Sequence, residues 1–218
     1  SGRVQFSTKE PARLALSLGR IGLSRPLTEA IAALPAARGT ADLSLSPAVF
    51  AARNIRFTSG DATLSGLFRY TPPTGAERAR FDAQLAGKGL DLASLPLLDT
   101  GAGGLTGADL GLAIDLEAPR FGTIASPGGR LKARITRDAE ALTIASAEMT
   151  NVDGASMSLA GRIGRAGGQI DGRLTAPRPA VVTALAARFL PPSVAGPLQR
   201  LAPLAAPLTL FLIAGEPS

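Results

Sequence analysis

The sequence predicts a mainly β fold: repeated antiparallel β-meanders forming an elongated curved sheet or groove, with a few short helices. Three observations lead there. Short runs with an apolar residue at every second position recur along most of the chain. Gly and Pro, 25 and 17 in number, cluster between those runs, where chain reversals need them. A pattern of strand, turn, strand, turn, strand and short helix occurs twice.

Taken in order, Arg13 to Leu18 (RLALSL) alternates and reads as a first strand. Leu27 to Leu34 follows Pro26 and stops at Pro35, the placement of proline expected at a helix start and just past a helix end. Strands are then expected over 41–46, 55–57, 62–70 and 81–85. Leu90 to Leu98 reads as a short helix interrupted by Pro96. A second series of strands follows at 109–116, 130–135, 141–144, 156–163 and 169–174. Ala180 to Leu190 is the best helix of the chain. Val194 to Ala206 holds another, broken by Pro197 and Pro203, and Leu208 to Ile213 adds a last apolar run. Alternation with period two buries one face of a strand and wets the other, as in antiparallel sheets joined by tight turns. Turn residues agree: Ser59-Gly60-Asp61, Pro72-Pro73-Thr74-Gly75, Asp153-Gly154 and Ala166-Gly167-Gly168 each separate two runs.

The first copy of the repeat runs from Ile55 to Tyr70 and from Phe81 to Leu98. The second runs from Met149 to Ile163 and from Ile170 to Leu190. In this pairing Gly66 matches Gly161, and Phe81-Asp82 matches Ile170-Asp171. A third, partial copy opens the chain with ARLALSL, LTEAIAAL and ADLSLS. The organisation expected is a partial repeat with a short helix over 1–38, a β repeat with a short helix over 39–105, a second β repeat ending in a helix over 106–190, and a Pro-broken helical segment with a terminal strand over 191–218. One repeat cannot bury its apolar face alone, so stacked units are expected to share a continuous one.

Composition narrows the chemistry. His, Cys and Trp are absent, which removes the commonest general base, thiolate nucleophiles and Cys/His zinc sites. No cofactor or metal is expected, and the chain reads as not an enzyme. The net charge of +6 rests on scattered arginines, with lysine only at Lys9, Lys88 and Lys132. Neither a basic run nor interleaved aromatics accompany them, so no nucleic-acid partner is expected. The apolar residues are mostly Ala and Leu, whose small volumes suit a thin, layered packing. The chain opens on Ser-Gly-Arg and reads as an excised piece that a signal or anchor preceded.

Two local motifs dissolve on inspection. Gly101-Ala102-Gly103-Gly104 lacks the Gly-Lys-[Ser/Thr] ending of a phosphate-binding loop. Asp109 and Asp115 share one face of a strand but lie roughly 20 Å apart at about 3.3 Å per residue, too far for paired carboxylate catalysis. Arg130, Lys132 and Arg134, which alternate with Leu131, Ala133 and Ile135, read as the wet face of a strand or as contacts to anionic headgroups.

Phe81-Asp82-Ala83-Gln84-Leu85 followed by Leu90-Asp91-Leu92-Ala93-Ser94-Leu95 resembles the AsmA family of bacterial envelope proteins. So does the strand, Asp-Gly-Ala turn, strand, Gly-x-Ile, turn, strand element from Asn151 to Leu174. The resemblance is one of pattern and cadence over roughly 39–190, and extends to the TamB- and YhdP-type intermembrane lipid-transfer proteins. It implies a non-catalytic periplasmic segment, anchored to the inner membrane through a region absent from this chain. Its partners are then phospholipid and other envelope proteins, and its role is to conduct lipid along an apolar β groove in support of outer-membrane biogenesis. The alternative is a structural or adhesive β-repeat module, or a secretion-system accessory subunit, with a closed core and no ligand.

The alternating apolar residues carry that choice, because they either fill a closed core or line an open groove. The lipid-contacting candidates are Leu43, Leu45, Leu64, Leu110, Leu112, Ile114, Leu131, Ile135, Met157, Leu159, Ile163, Ile170 and Leu174. Patterning alone favours the closed core, since an open apolar groove needs a ligand or partner to cover it. The family resemblance is what raises the groove.

Overall fold

The computed structural model describes residues 1–20, 32, 36–91, 108–121, 124–164, 167–177 and 208–214. The chain is mainly β, built of consecutive antiparallel meanders, with one short helix among the described residues. It divides into two compact units, Ser1–Leu112 and Ala113–Ser218.

The first unit begins with β1 (Gly2–Thr8) and α1 (Pro11–Arg20). It continues through β2 (Ala37–Leu45), β3 (Phe50–Ser59), β4 (Ala62–Thr71), β5 (Arg80–Lys88) and the opening residues of β6 (Asp109–Glu117). From β1 to β5 each strand pairs antiparallel with its predecessor. The second unit holds the rest of β6 and a short ribbon of β7 (Arg120–Phe121) and β8 (Ile124–Ala125). There follow β9 (Arg130–Arg137), β10 (Ala141–Val152), β11 (Ala155–Gly164), β12 (Gly167–Ala176) and β13 (Leu208–Ala214). From β9 to β13 the pairing is again antiparallel between chain neighbours.

The turns follow their residues. β10 and β11 are joined by Asp153 and Gly154, both at positive φ (49° and 80°), the two-residue turn whose twist matches the flanking strands. Gly60 (φ 56°) opens the β3–β4 turn, and Gly75 (φ 59°) sits in the β4–β5 loop.

Arg13 to Leu18, expected as a strand, lies inside α1, and the first strand is Gly2–Thr8 instead. The physical reason lies in the residue types. In RLALSL the leucines alternate with Arg13, Ala15 and Ser17, but local helix propensity outweighs that pattern. Ala, Leu and Arg are strong helix formers, and Pro11 occupies the first helical position, where its missing N–H costs nothing. The Glu10 N–H donates to the Thr8 hydroxyl (3.0 Å), and the Arg13 N–H donates to the Glu10 carbonyl (3.0 Å), which starts the turn. The partial third copy of the repeat therefore loses its opening strand. The helices expected over Leu27–Leu34, Ala180–Leu190 and Val194–Ala206, most of that over Leu90–Leu98, and the Gly101–Gly104 loop lie outside the described residues, apart from a helical Ala32.

The match of Gly66 with Gly161 has a backbone counterpart. Both glycines adopt φ values barred to most side chains, 150° and 143°. Each pairs with an isoleucine next to a β-bulge: Gly66 with Ile55 beside Arg53-Asn54, Gly161 with Ile144 beside Ala145-Ser146. A Cβ on Gly66 would overlap the Gln84 carbonyl oxygen, and one on Gly161 that of Gln169. With the glycines superposed, Leu85 corresponds to Ile170, since these are their cross-strand partners. Phe81 pairs with Tyr70 instead. The expected match of Phe81-Asp82 with Ile170-Asp171 is thus four residues out of register, because the two hairpins reach their loops at different distances from the glycine.

The units bury their apolar residues differently. In the second, Met149, Val152, Ala155, Leu174 and Ala176 form a buried cluster with Leu131 and Met157 packed against it. In the first, the fully buried strand positions are small residues such as Ala37, Ala51, Ala52 and Ala83, and the large apolar side chains of the strands are half-buried or, at Val4, Leu45 and Leu67, exposed.

Candidate functional site: the apolar face of each meander

Residues directly opposite in an antiparallel pair point to the same side of the sheet, and positions two apart along a strand do likewise. In the first unit this rule puts Leu43, Ala52, Phe68 and Ala83 in one cross-strand row. Leu45, Phe50, Tyr70 and Phe81 form the next row, and Phe57 and Leu64 another. All lie on one face. Arg3, Asp42, Arg53, Arg56, Arg69, Gln84 and Lys88 lie on the other. In the second unit Leu131, Met149, Met157 and Leu174 form one row, with Ile135 and Ile144 in another. Leu159, Ile163 and Ile170 share that face, opposite Arg130, Lys132, Glu148, Arg162 and Arg173.

Within each unit the candidate residues therefore fall on a single face. In the first unit these are Leu43, Leu45 and Leu64, joined by Leu110 and Leu112. The β6 pair alternates with Gly111, where a Cβ would meet the polar-face Asp82. In the second they are Ile114, Leu131, Ile135, Met157, Leu159, Ile163, Ile170 and Leu174, Ile114 being next to Asp115, which pairs with the polar-face Arg130. Their burial spans a range. Leu174 is 6% exposed, Leu45 is 69% exposed, and the rest are half-buried.

Aromatic residues missing from the candidate set occupy the same face. Phe50, Phe68 and Phe81 form a ladder across β3, β4 and β5, with centroid separations of 5.2 and 6.0 Å. Phe6 reaches Phe57 at 6.3 Å, its ring over Gly39. The alternation that marked the leucines marks these rings equally, so the signal was in the sequence. They widen the apolar face and stiffen it, because aromatic pairs at these separations are favourable beyond simple burial.

The polar face carries several closed ion pairs. Asp42 accepts from Arg3 Nε (3.0 Å) and Asn54 Nδ2 (2.8 Å). Arg80 grips Asp82 with two bonds (2.8 and 2.9 Å), and Arg130 grips Asp115 likewise (2.9 and 2.9 Å), with Lys132 3.6 Å away. Arg78 lies 3.3 Å from Asp109. Hydrogen bonds from Arg3 and Arg130 hold the Asp42 and Asp115 carboxyls below the usual carboxylate range. These four carboxylates are taken up in structural pairs, and among the described residues no three acids gather as a cation site.

These pairs set a pH dependence. A carboxyl whose folded pKa is depressed contributes stability above its ordinary value, and that contribution is lost as pH falls through and below it. With no histidine in the chain, the thermal midpoint is expected to be flat from about pH 5 to 8 and to drop below about pH 4. Asp115→Asn is expected to cost about 1 kcal/mol or less, since the pair is solvent-screened, and to flatten the acid limb. Calorimetry across that range checks both. A midpoint that falls between pH 6 and 5 contradicts the assignment.

No family model, curated protein or solved structure matches the chain.

Proposed function

We propose that this chain is a non-catalytic, phospholipid-handling β segment of a bacterial cell envelope, holding acyl chains on the apolar faces of its meanders and supporting outer-membrane biogenesis. One observation carries the reading. Along β4 and β5 large apolar side chains recur at alternate positions among mostly polar or small residues, and Leu64, Phe68, Tyr70, Phe81 and Leu85 stay half-buried. A sheet that closed a core over those rows would bury them fully, and half-exposed apolar surface of this kind is unfavourable until something covers it. Acyl chains cover it by burial alone, at about 0.8 kcal/mol per CH₂. Such contacts demand no focused polar constellation.

The segments that resemble the AsmA family add the setting: the periplasm, with an inner-membrane anchor outside this chain and other envelope proteins as partners. Among the described residues no helix is long and apolar enough to cross a membrane. The second reading, a β module with a closed core and no ligand, is favoured by the buried Met149–Val152–Ala155–Leu174–Ala176 cluster.

Native mass spectrometry of protein extracted gently from a Gram-negative host separates the two. Stoichiometric phospholipid is expected, and its loss in Leu112→Asp and Leu159→Asp with far-UV circular dichroism unchanged. Added lysophospholipids are expected to bind about two- to fourfold more tightly for each extra methylene. A lipid-free protein that ignores added phospholipid overturns the proposal.

A further inference from the structure

We propose that the polar face of the first unit carries a binding site for a phosphate oxyanion, held between the guanidinium groups of Arg53 and Arg69. These residues line a pocket of about 590 Å³ whose wall also includes Asp42, Ser44, Val49 and Ala51. The register explains the gathering. Ala51 pairs with Ser44 on one side and with Arg69 on the other, and Arg53 stands two residues further along β3. Ala51 is small and buried, which leaves room above it. The Ser44 hydroxyl adds a donor at the rim.

What singles the pair out is that the neighbouring acids are already taken. Asp42, the cross-strand partner of Arg53, has one oxygen on Arg3 and the other on Asn54. Asp82, the cross-strand partner of Arg69, is gripped by Arg80 through both oxygens. Among the described residues, Arg53 and Arg69 make neither an ion pair nor a side-chain hydrogen bond. Two guanidiniums sharing one pocket repel each other until an anion lies between them. Each is a rigid fork of donors matched to two oxygens of one group, and a phosphate has enough oxygens for both forks. The hairpin loop at the rim is closed by Ser46: its N–H donates to the Val49 carbonyl (2.9 Å), and its hydroxyl accepts from the Val49 N–H (3.0 Å). The site lies opposite the apolar face, so it stands or falls apart from acyl-chain binding.

The same chemistry is offered by a soluble phosphate and by a phospholipid headgroup, and two probes distinguish them. Inorganic phosphate is titrated at constant ionic strength against the ¹⁵N-labelled chain, reading the arginine Nε–H signals. Separately, sedimentation compares vesicles of phosphatidylcholine with vesicles containing phosphatidylglycerol. A saturable shift confined to Arg53 and Arg69 is expected. R53Q/R69Q is expected to weaken binding at least about tenfold, given the strength of charge-assisted bonds. R38Q/R56Q, which removes the same charge from exposed positions of the same face outside the pocket, is expected to change it less than about twofold. Phosphate binding without vesicle preference assigns a soluble ligand. Vesicle preference abolished by R53Q/R69Q assigns a headgroup. Equal loss in both double variants, or no binding of either probe, overturns the site.

Discussion

Val152→Asp is expected to cost about 3–5 kcal/mol and to unfold the second unit at a urea concentration where the parent remains folded. Val152 is fully buried at the end of β10, with Met149, Ala155, Leu174 and Ala176 in its cluster. Each of these offers hydrocarbon where a carboxylate needs donors, so the charge loses its hydration and recovers nothing. Val152→Ala, which only opens a small void, is expected to cost about 2 kcal/mol. Leu45→Asp makes the same chemical change at a position 69% exposed and is expected to stay within about 0.5 kcal/mol. Urea unfolding followed by far-UV circular dichroism orders the three. If Val152→Asp matched Leu45→Asp, the cluster would not be a core.

Gly66→Ala and Gly161→Ala are each expected to cost about 3 kcal/mol. Part is backbone strain, since φ near 150° is closed to a residue with a Cβ and such conformations cost about 1–3 kcal/mol. The rest is collision. The new methyl meets the carbonyl oxygen of Gln84 in one case and of Gln169 in the other. Both are backbone atoms of the paired strand, so relief requires the strands to part and their ladder hydrogen bonds to weaken. Gly2→Ala is the control, because a Cβ there meets nothing within 4 Å, and it is expected to fall within about 0.5 kcal/mol. Thermal midpoints of the three variants test the pair. A Gly66→Ala protein as stable as Gly2→Ala would falsify the assignment of Gly66 as a required glycine.

Much of the strand order was legible because alternation is a local signal. ATLSGLFRY and MSLAGRI announce β4 and β11 without knowledge of their neighbours. The signal failed at ARLALSL, where the alternation is present but the helix propensity of Ala, Leu and Arg behind Pro11 won. It also missed β1, GRVQFST, whose only clear apolar positions are Val4 and Phe6. That strand is defined by its seven-residue register against β2, with partners such as Phe6 and Gly39 far apart in sequence. The repeat was visible through Gly66 and Gly161, yet its register was misjudged. Cross-strand pairing, which makes Leu85 the counterpart of Ile170, is not a property of either segment alone.

The candidate site divides the same way. Period two alone placed the candidate leucines and isoleucines on a common face within each unit. The spread from buried Leu174 to exposed Leu45 belongs to packing. The Arg3–Asp42–Asn54 cluster and the Arg53–Arg69 pocket were invisible in the sequence, because each joins residues from at least three strands.

By itself, then, the sequence determined the β class, the positions of most strands and turns, and the two-faced character of each strand. These follow from side-chain alternation and glycine conformation, which act over a few residues. Among the described residues, tertiary structure decided which residues oppose one another, where the buried Val152 cluster forms, and which arginines are left without a carboxylate. Those depend on register between distant strands, and register is set by bulges and by the summed fit of whole strands.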